Sequence, residues 1–322
     1  MSSPDGKLLV TRIAWTLHAH RAGALPAWKG STLRGALGWA FERQARTAPS
    51  PQWPGLIPGA GFTDAVFATQ AAWGNQQAGS PWHLQLSDLT TAWHPGQVLQ
   101  GAFLLFGLWP AWMLALWQDC FEQAIATGFG PHAPQFTVST WDVTVQSWLP
   151  APVHPRHLTL RTITTARLQD RGHECATLEP AAIARSVLRR WRQLHLQLTG
   201  AEPELPKPYP EMSRACDELQ LLSAGLHVAS AAASAASDGS GSSEKASSTS
   251  GPSDIRRWSN RQARAVTMPG LTGEITITGP TLALLAPILA QAPLLHIGKQ
   301  PNFGLGMVEV TWHMNCNAVE KP

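Results

Sequence analysis

Near the end of the chain, three glycines flank one lysine in a segment whose residue types suit anion binding. Gly298, Lys299, Gly304 and Gly306 lie just before a strand pattern at 307–310. Glycine lets a backbone approach another group closely, and exposed N–H groups beside an ammonium group suit a phosphate. The segment therefore predicts contact with an anion such as a nucleic-acid backbone. A glycine-rich turn before an ordinary edge strand is the alternative interpretation.

Cationic and titratable side chains also occur close together within the first 34 residues. His18 and His20 lie on the polar side of an alternating pattern that predicts a half-buried strand, and Arg21, Lys29 and Arg34 follow. Histidine exchanges protons near neutral pH, and arginine stabilises developing negative charge although it is a poor base. These residues are therefore candidates for proton transfer and charge stabilisation. A surface ion pair is the alternative role for Arg34.

Two motifs far apart in the chain carry a resemblance to a known family. Residues 256–262 read Arg-Arg-Trp-Ser-Asn-Arg-Gln and lead to Gly-Leu-Thr-Gly-Glu-Ile at 270–275, His-Ile-Gly-Lys at 296–299 and Phe-Gly-Leu-Gly at 303–306. Residues 29–38 read Lys-Gly-Ser-Thr-Leu-Arg-Gly-Ala-Leu-Gly. In this order the motifs resemble those of the CRISPR repeat-processing endoribonucleases of the RAMP superfamily.

That resemblance implies a fold and a reaction. Members of the family hold a CRISPR repeat with two ferredoxin-like halves and cleave it without a metal ion, leaving a 5′-OH and a 2′,3′-cyclic phosphate. In such a reaction the ribose 2′-OH loses a proton, the 5′ oxygen gains one, and charge on the phosphorane is stabilised. Histidine, lysine and arginine suit these tasks. No cofactor and no metal are implied.

The resemblance also suggests roles for individual residues. We expect His20, Arg34 and His18 to carry catalysis, with core or surface roles as the alternative. Many members of the family use a histidine near the first helix as general base, but the helix predicted at 31–46 contains none, so the identity of the base stays open. RNA contacts are expected from Lys299, Arg256, Arg257, Arg261, Gln262, Gly298, Gly304, Gly306, Arg21 and Lys29.

The predicted elements arrange these residues in two halves. Between residues 8 and 148 the order strand, helix, strand, strand, helix, strand is that of a ferredoxin-like split βαβ unit. We predict an α+β protein with two tandem ferredoxin-like (RRM-like) domains at 1–150 and 151–322, the second carrying the glycine-rich loop at 298–306. Residues 229–253 are mainly Ala, Ser and Gly, which predicts a flexible insertion.

Composition indicates a globular protein. The 322 residues are 44% hydrophobic, which is enough for packed cores, and a net charge of +3 means that any RNA contact must come from a local patch. The four cysteines show no CxxC spacing, which argues against a zinc site or a disulfide framework. Since no signal-peptide layout and no apolar run of membrane-spanning length occur, we expect a cytoplasmic protein without a membrane partner.

The predicted function is a metal-independent endoribonuclease that cleaves precursor crRNA within the repeat. Its expected partners are repeat RNA, crRNA and other subunits of a CRISPR effector complex. A non-catalytic RAMP subunit that binds crRNA is the alternative, because the first helix lacks a histidine. A protein-interaction module whose glycine-rich loop touches no RNA is a third hypothesis. His296 is a further catalytic candidate, although a histidine that ends an apolar strand is commonly just held by a hydrogen bond.

Overall fold

Two four-stranded antiparallel sheets form the framework of the protein, and helices cover one face of each. Within the part of the chain that is described, no helix combines the length and the apolar character needed to cross a membrane. The computed structural model describes residues 9–47, 72–73, 76–77, 81–130, 132–152, 154–225, 255–259, 264–268 and 270–314.

The first half has the strand and helix order of a ferredoxin-like unit. Its elements are β1 (Leu9–Arg21), β2 (Gly23–Ala24), α1 (Gly30–Thr47), β3 (Ala72–Trp73), β4 (Gln76–Gln77), β5 (Trp82–Gln85), β6 (Ala92–Trp93), β7 (Val98–Phe106), α2 (Ala111–Thr127) and β8 (Gln135–Ser147). The main sheet has the order β5-β7-β1-β8, and β2-β6 and β3-β4 form short separate pairs. All neighbouring strands of the main sheet are antiparallel.

The second half repeats the same topology. Its elements are β9 (Pro155–Thr162), β10 (Gln169–Asp170), β11 (His173–Glu174), α3 (Pro180–Thr199), α4 (Tyr209–Ala215), β12 (Gln220–Gly225), β13 (Ile255–Ser259), β14 (Arg264–Met268), β15 (Glu274–Thr278), α5 (Leu282–Leu289), α6 (Ala292–Leu295) and β16 (Val308–Met314). The sheet order β12-β15-β9-β16 matches that of the first half. The predicted fold class, α+β with two tandem ferredoxin-like domains, is confirmed. The division predicted at 150/151 falls between β8 and β9.

Strand β1 shows why the first sheet has one covered and one open face. Trp15 and Leu17 are buried, whereas His18 and His20 are exposed. The Trp15 ring packs 5.3 Å from the ring of Phe121, which belongs to α2. Because successive side chains of a strand point to opposite faces, the two histidines lie on the face away from the helices. The predicted alternation of this strand is confirmed.

The two halves are joined by specific polar contacts. The Nδ1–H group of His83, on β5, donates to the carbonyl of Leu294 in the second half over 3.1 Å. The side-chain amide of Gln291 accepts from the backbone N–H of Leu149 at 2.9 Å and donates to its carbonyl at 2.7 Å. These contacts fix the orientation of α6, and therefore of the residues that follow it, relative to the first sheet.

The apolar run before the glycine-rich loop is helical, so the strand predicted there is wrong. Residues 292–295 form α6, in which the N–H of Leu295 donates to the carbonyl of Gln291 over 2.8 Å. A short apolar run fits a buried helix as well as a buried strand, and periodicity alone does not separate the two. The predicted insertion at 229–253 lies outside the described residues.

Candidate functional site

The glycine-rich loop (residues 298–306) bonds its backbone N–H groups within the protein. Gly306 donates to the carbonyl of Thr165 over 2.9 Å, Lys299 to that of Arg167 over 2.8 Å, and Gly304 to Pro301 within the loop over 2.8 Å. The N–H of Gly298 also has an acceptor, the hydroxyl of Ser186 at 3.2 Å. The prediction that these N–H groups are exposed to an anion is therefore wrong. They hold the loop in place.

The glycines are required because the loop passes very close to other backbone. A Cβ atom at Gly306 would lie 1.9 Å from the carbonyl oxygen of Ile297, and one at Gly298 would lie 2.2 Å from that of Arg167. Gly298, Gly304 and Gly306 also have φ angles of 73°, 77° and 71°, which L side chains rarely adopt. The close approach inferred from the sequence is real, but the partner is the protein itself.

Arg190 of α3 anchors the start of the loop. Its guanidinium donates to the carbonyls of Leu295, at 2.6 Å, His296, at 3.0 Å, and Gly298. Burial lowers the pKa of Arg190 to about 9. Because its guanidinium group donates to three carbonyls between the last residue of α6 and Gly298, Arg190 stabilises the first residues of the loop.

His296 is a buried structural residue. Its Nδ1–H group donates to the carbonyl of Leu305 over 3.1 Å, and its ring lies 5.1 Å from the ring of His83 across the junction of the two halves. Burial is the main cause that lowers its pKa to about 3, and Arg190 contributes in the same direction. Its backbone has φ 56° and ψ 163°, a strained region for any residue other than glycine. The hydrogen-bonded alternative foreseen for His296 is the one observed.

Arg34 lies against the glycine-rich loop. Its guanidinium carbon is 4.6 Å from the centroid of the Phe303 ring, a cation–π distance. The approach is close because Gly30 begins α1 without a side chain, since a Cβ atom there would lie 1.9 Å from the carbonyl oxygen of Phe303. Trp28 and Leu305 pack around the same ring. The structure thus brings a residue predicted to be catalytic into contact with the predicted RNA-binding loop.

Lys299 and two polar residues form the accessible side of the loop. Lys299 and Gln300 are partly exposed. Arg167 donates to the side-chain oxygen of Gln300 over 3.2 Å and to Glu174 over 2.8 Å. Sequence reasoning missed Gln300, Arg167 and Phe303 as site residues. Phe303 lies in the Phe-Gly-Leu-Gly motif and Gln300 in the predicted loop, but neither side chain was singled out, and no pattern described above included Arg167.

Lys29 was predicted to contact RNA, but its side chain is not available for such a contact. Its side chain is only 1% exposed and forms an ion pair with Asp88 at 2.8 Å, and it also donates to the backbone carbonyl of Asp88 at 2.9 Å. Burial lowers the pKa of Lys29, although the carboxylate opposes the shift. The ammonium group therefore ties the start of α1 to the connection between β5 and β6, which corrects the prediction.

His18, His20 and Arg21 lie on a different surface from Arg34. All three are exposed on β1 or at its end. The two histidines point to the open face of the first sheet, whereas Arg34 belongs to a helix that packs on the covered face. The structure therefore divides the residues predicted to be catalytic into two groups. Neither histidine contacts Arg34, so the proposed proton-transfer residues and the proposed charge-stabilising residue lie at separate places.

Two family models match the chain, one in each half. The model for the CRISPR-associated endoribonuclease Cas6 matches residues 160–308, and a model described as an N-terminal domain matches residues 8–158. The second half of the chain is therefore similar to Cas6. The matching model describes an RNA-cleaving enzyme of the CRISPR system, the class that the sequence motifs suggested. The comparison with curated protein sequences gives no match.

Solved Cas6 structures share the fold of the chain. A Cas6 product complex matches with a TM-score of 0.57 and 14% identity over 94% of this chain and 100% of the other. Thermus thermophilus Cas6 matches with a TM-score of 0.52 and 14% identity, covering 94% and 99%. The Cas6-containing chain of a partial Cas6-RT-Cas1–Cas2 complex matches with 0.54 and 8% identity, covering 95% of this chain and 46% of that one.

Two further predicted RNA contacts lie on a pair of antiparallel strands in the second half. Arg256 and Arg257 lie on β13, which pairs with β14 through Ile255↔Met268 and Ser259↔Arg264. Arg261 and Gln262 lie outside the described residues. Among the residues that the structure describes, no three histidine, cysteine or carboxylate side chains are grouped as metal ligands.

Proposed function

We propose that this protein is a Cas6 endoribonuclease that binds CRISPR repeat RNA and cleaves precursor crRNA within the repeat by metal-independent transesterification. The 2′ oxygen attacks the adjacent phosphorus and its proton passes to a base. The bond to the 5′ oxygen then breaks as that oxygen gains a proton. The products are a 2′,3′-cyclic phosphate and a 5′-OH. The observation that supports this site best is the contact of Arg34 with the glycine-rich loop, at the junction of the two halves.

Arg34 is proposed to stabilise the negative charge that develops on the phosphorane. Its guanidinium stays charged at any working pH and presents several donors, and Phe303 holds it from the loop side. Lys299 lies on the same loop with a partly exposed side chain and is proposed to contact a phosphate. His20 and His18 remain the proposed proton-transfer residues, which requires that the RNA reach the open face of the first sheet.

The proposed grip on RNA also involves the hairpin β13–β14 and the end of β1. Arg21 is exposed there, and the hairpin contributes Arg256 and Arg257. Arg261 and Gln262 are proposed as contacts from the sequence motif alone. Solved Cas6 structures described as product complexes and as a Cas6-RT-Cas1–Cas2 complex support repeat RNA and other CRISPR proteins as partners.

One observation favours a second function, an RNA-holding subunit without cleavage. The sequence of α1 contains no histidine, and the histidines of β1 lie on the other face of the sheet from Arg34. A Cas6 protein that keeps Arg34 for phosphate binding but lacks a nearby base would bind crRNA and leave it intact.

The test is cleavage of a repeat RNA in EDTA, beside the same RNA with a 2′-deoxy nucleotide at the cut site. Cleavage of the first RNA alone is expected, and Arg34→Ala should slow it by about 10²–10³-fold, as the loss of one charge-stabilising donor does. Arg43→Ala, at an exposed position farther along α1, is the matched control and should cleave normally. A strict metal requirement would refute the mechanism. Binding without cleavage would support the RNA-holding subunit.

A further inference from the structure

A groove of about 440 Å³ lies on the open face of the first sheet, where that face meets the second half. Its floor includes Ala14 and Ala102, which are direct cross-strand partners on β1 and β7. Met307, just before β16, closes one side. Two methyl side chains next to each other make a flat, shallow floor, whereas the larger side chains on either side of them rise around it. The shape suits a planar group.

Two side chains of opposite charge line the groove. Arg12 lies two residues before Ala14 on β1, and Asp142 is the cross-strand partner of Ala14 on β8. Within the described residues, neither the guanidinium of Arg12 nor the carboxylate of Asp142 forms an ion pair. Both are therefore available to a ligand that enters the groove. Gln85 and Gln100 add amide groups to the rim.

The carboxylate of Asp142 determines which part of an RNA the groove can bind. A phosphate would be repelled by Asp142, so a base is a better occupant than the backbone. Guanine presents two adjacent donors, N1–H and the N2 amino group, which match the two oxygens of one carboxylate, and its O6 atom accepts from arginine. In adenine and cytosine the ring nitrogen beside the amino group is an acceptor. This acceptor would face an oxygen of the carboxylate and be repelled by it. Uracil offers a single N3–H donor between two acceptors.

We propose that this groove binds one unpaired guanine of the substrate RNA, with Asp142 accepting from N1–H and N2–H and Arg12 donating to O6. This rests on the proposed function as far as the ligand is RNA, and it adds a base-specific contact away from Arg34 and the glycine-rich loop. Because the Watson–Crick edge of the guanine is occupied, the groove selects a single-stranded segment of the RNA.

The test uses the full chain and 12-nucleotide single-stranded RNAs, binding being measured by fluorescence anisotropy at one salt concentration. The probes are oligouridine and the same RNA with one central guanosine, inosine or adenosine. Guanosine should tighten binding by at least about tenfold over adenosine, since a good bidentate contact has that effect. Inosine lacks the N2 amino group and should lose most of the gain. Equal binding of the guanosine and adenosine probes, or full binding of inosine, would overturn the proposal.

Variants separate the base contact from a general effect on RNA binding. Asp142→Asn should abolish the preference for guanosine, whereas Asp119→Asn, at an exposed position on α2, should keep it. Arg12→Met should reduce it. Thermal unfolding of each variant checks that the fold is intact, and Asp142 is exposed enough for the exchange to be tolerated. Retention of the preference by Asp142→Asn would refute the assignment.

The test of the groove and the test of the proposed nuclease can fail independently of each other. Cleavage of repeat RNA without any guanosine preference would refute the groove and leave the nuclease in place. A guanosine preference without cleavage would support the groove and favour the RNA-holding subunit. Failure to bind any of the RNAs would overturn the groove as an RNA site.

Discussion

Acid should destabilise the junction between the two halves through His296. The imidazole is fully buried, and its Nε2 atom has no hydrogen-bond partner among the described residues. Burial, with a smaller effect of Arg190, lowers the pKa of His296 from 6.5 to about 3. Below pH 6.5 the unfolded chain therefore binds a proton that the folded chain takes up only near pH 3. The stability is fully present above pH 6.5 and is lost as the pH falls towards 3.

The size of the effect follows from the two pKa values. Each pH unit between 6.5 and 3 lowers the free energy of unfolding by about 1.4 kcal/mol, so His296 alone should remove about 3 kcal/mol at pH 4.5 compared with pH 8. Burial also lowers the pKa of His83 well below 6.5, which acts in the same direction. Arginine partners lower the pKa of Asp170 and of Glu202, which keeps these carboxylates charged to lower pH in the folded chain than in the unfolded chain.

Urea unfolding at pH 8 and at pH 4.5 measures this difference. Wild type is compared with His296→Gln, which keeps a hydrogen-bonding side chain but does not titrate, and with His94→Gln at an exposed position. Wild type and the His94 variant should each lose about 3 kcal/mol more between the two pH values than the His296 variant. If all three lose the same amount, His296 does not sense acid and the reasoning is refuted.

Two further predictions concern the glycine-rich loop. Gly306→Ala should lower stability by more than about 1–2 kcal/mol, because the positive φ is unfavourable and the new Cβ would meet the carbonyl of Ile297; Gly35→Ala, in open space on α1, should instead raise it by up to about 1 kcal/mol in thermal unfolding. Arg190→Met should speed hydrogen exchange across residues 295–306, since three carbonyls lose their donor, whereas Arg189→Met at an exposed neighbour should not. Unchanged exchange in the Arg190 variant would contradict its anchoring role.

Local patterns in the sequence were enough to predict the topology of the first half, and the family resemblance implied the same topology for the second half. Alternation along β1 predicted a strand with one polar face, and the order of elements up to residue 148 predicted the ferredoxin-like topology, because both depend on periodicity within short segments. The need for glycine in the 298–306 loop was also visible, since a positive φ is a local requirement. What those glycines approach was not visible.

The availability of the site residues was decided by partners far away in the chain. Lys29 is buried and paired with Asp88. The carbonyls of Thr165 and Arg167 accept hydrogen bonds from N–H groups of the loop. Packing of the second half on the first brings Phe303 to Arg34 and turns one part of the open sheet face into a groove. The sequence by itself therefore determined the topology and the residue types of the candidate site. Only the tertiary structure decided which of those side chains stay free, because burial and hydrogen bonding depend on neighbours that no local pattern records.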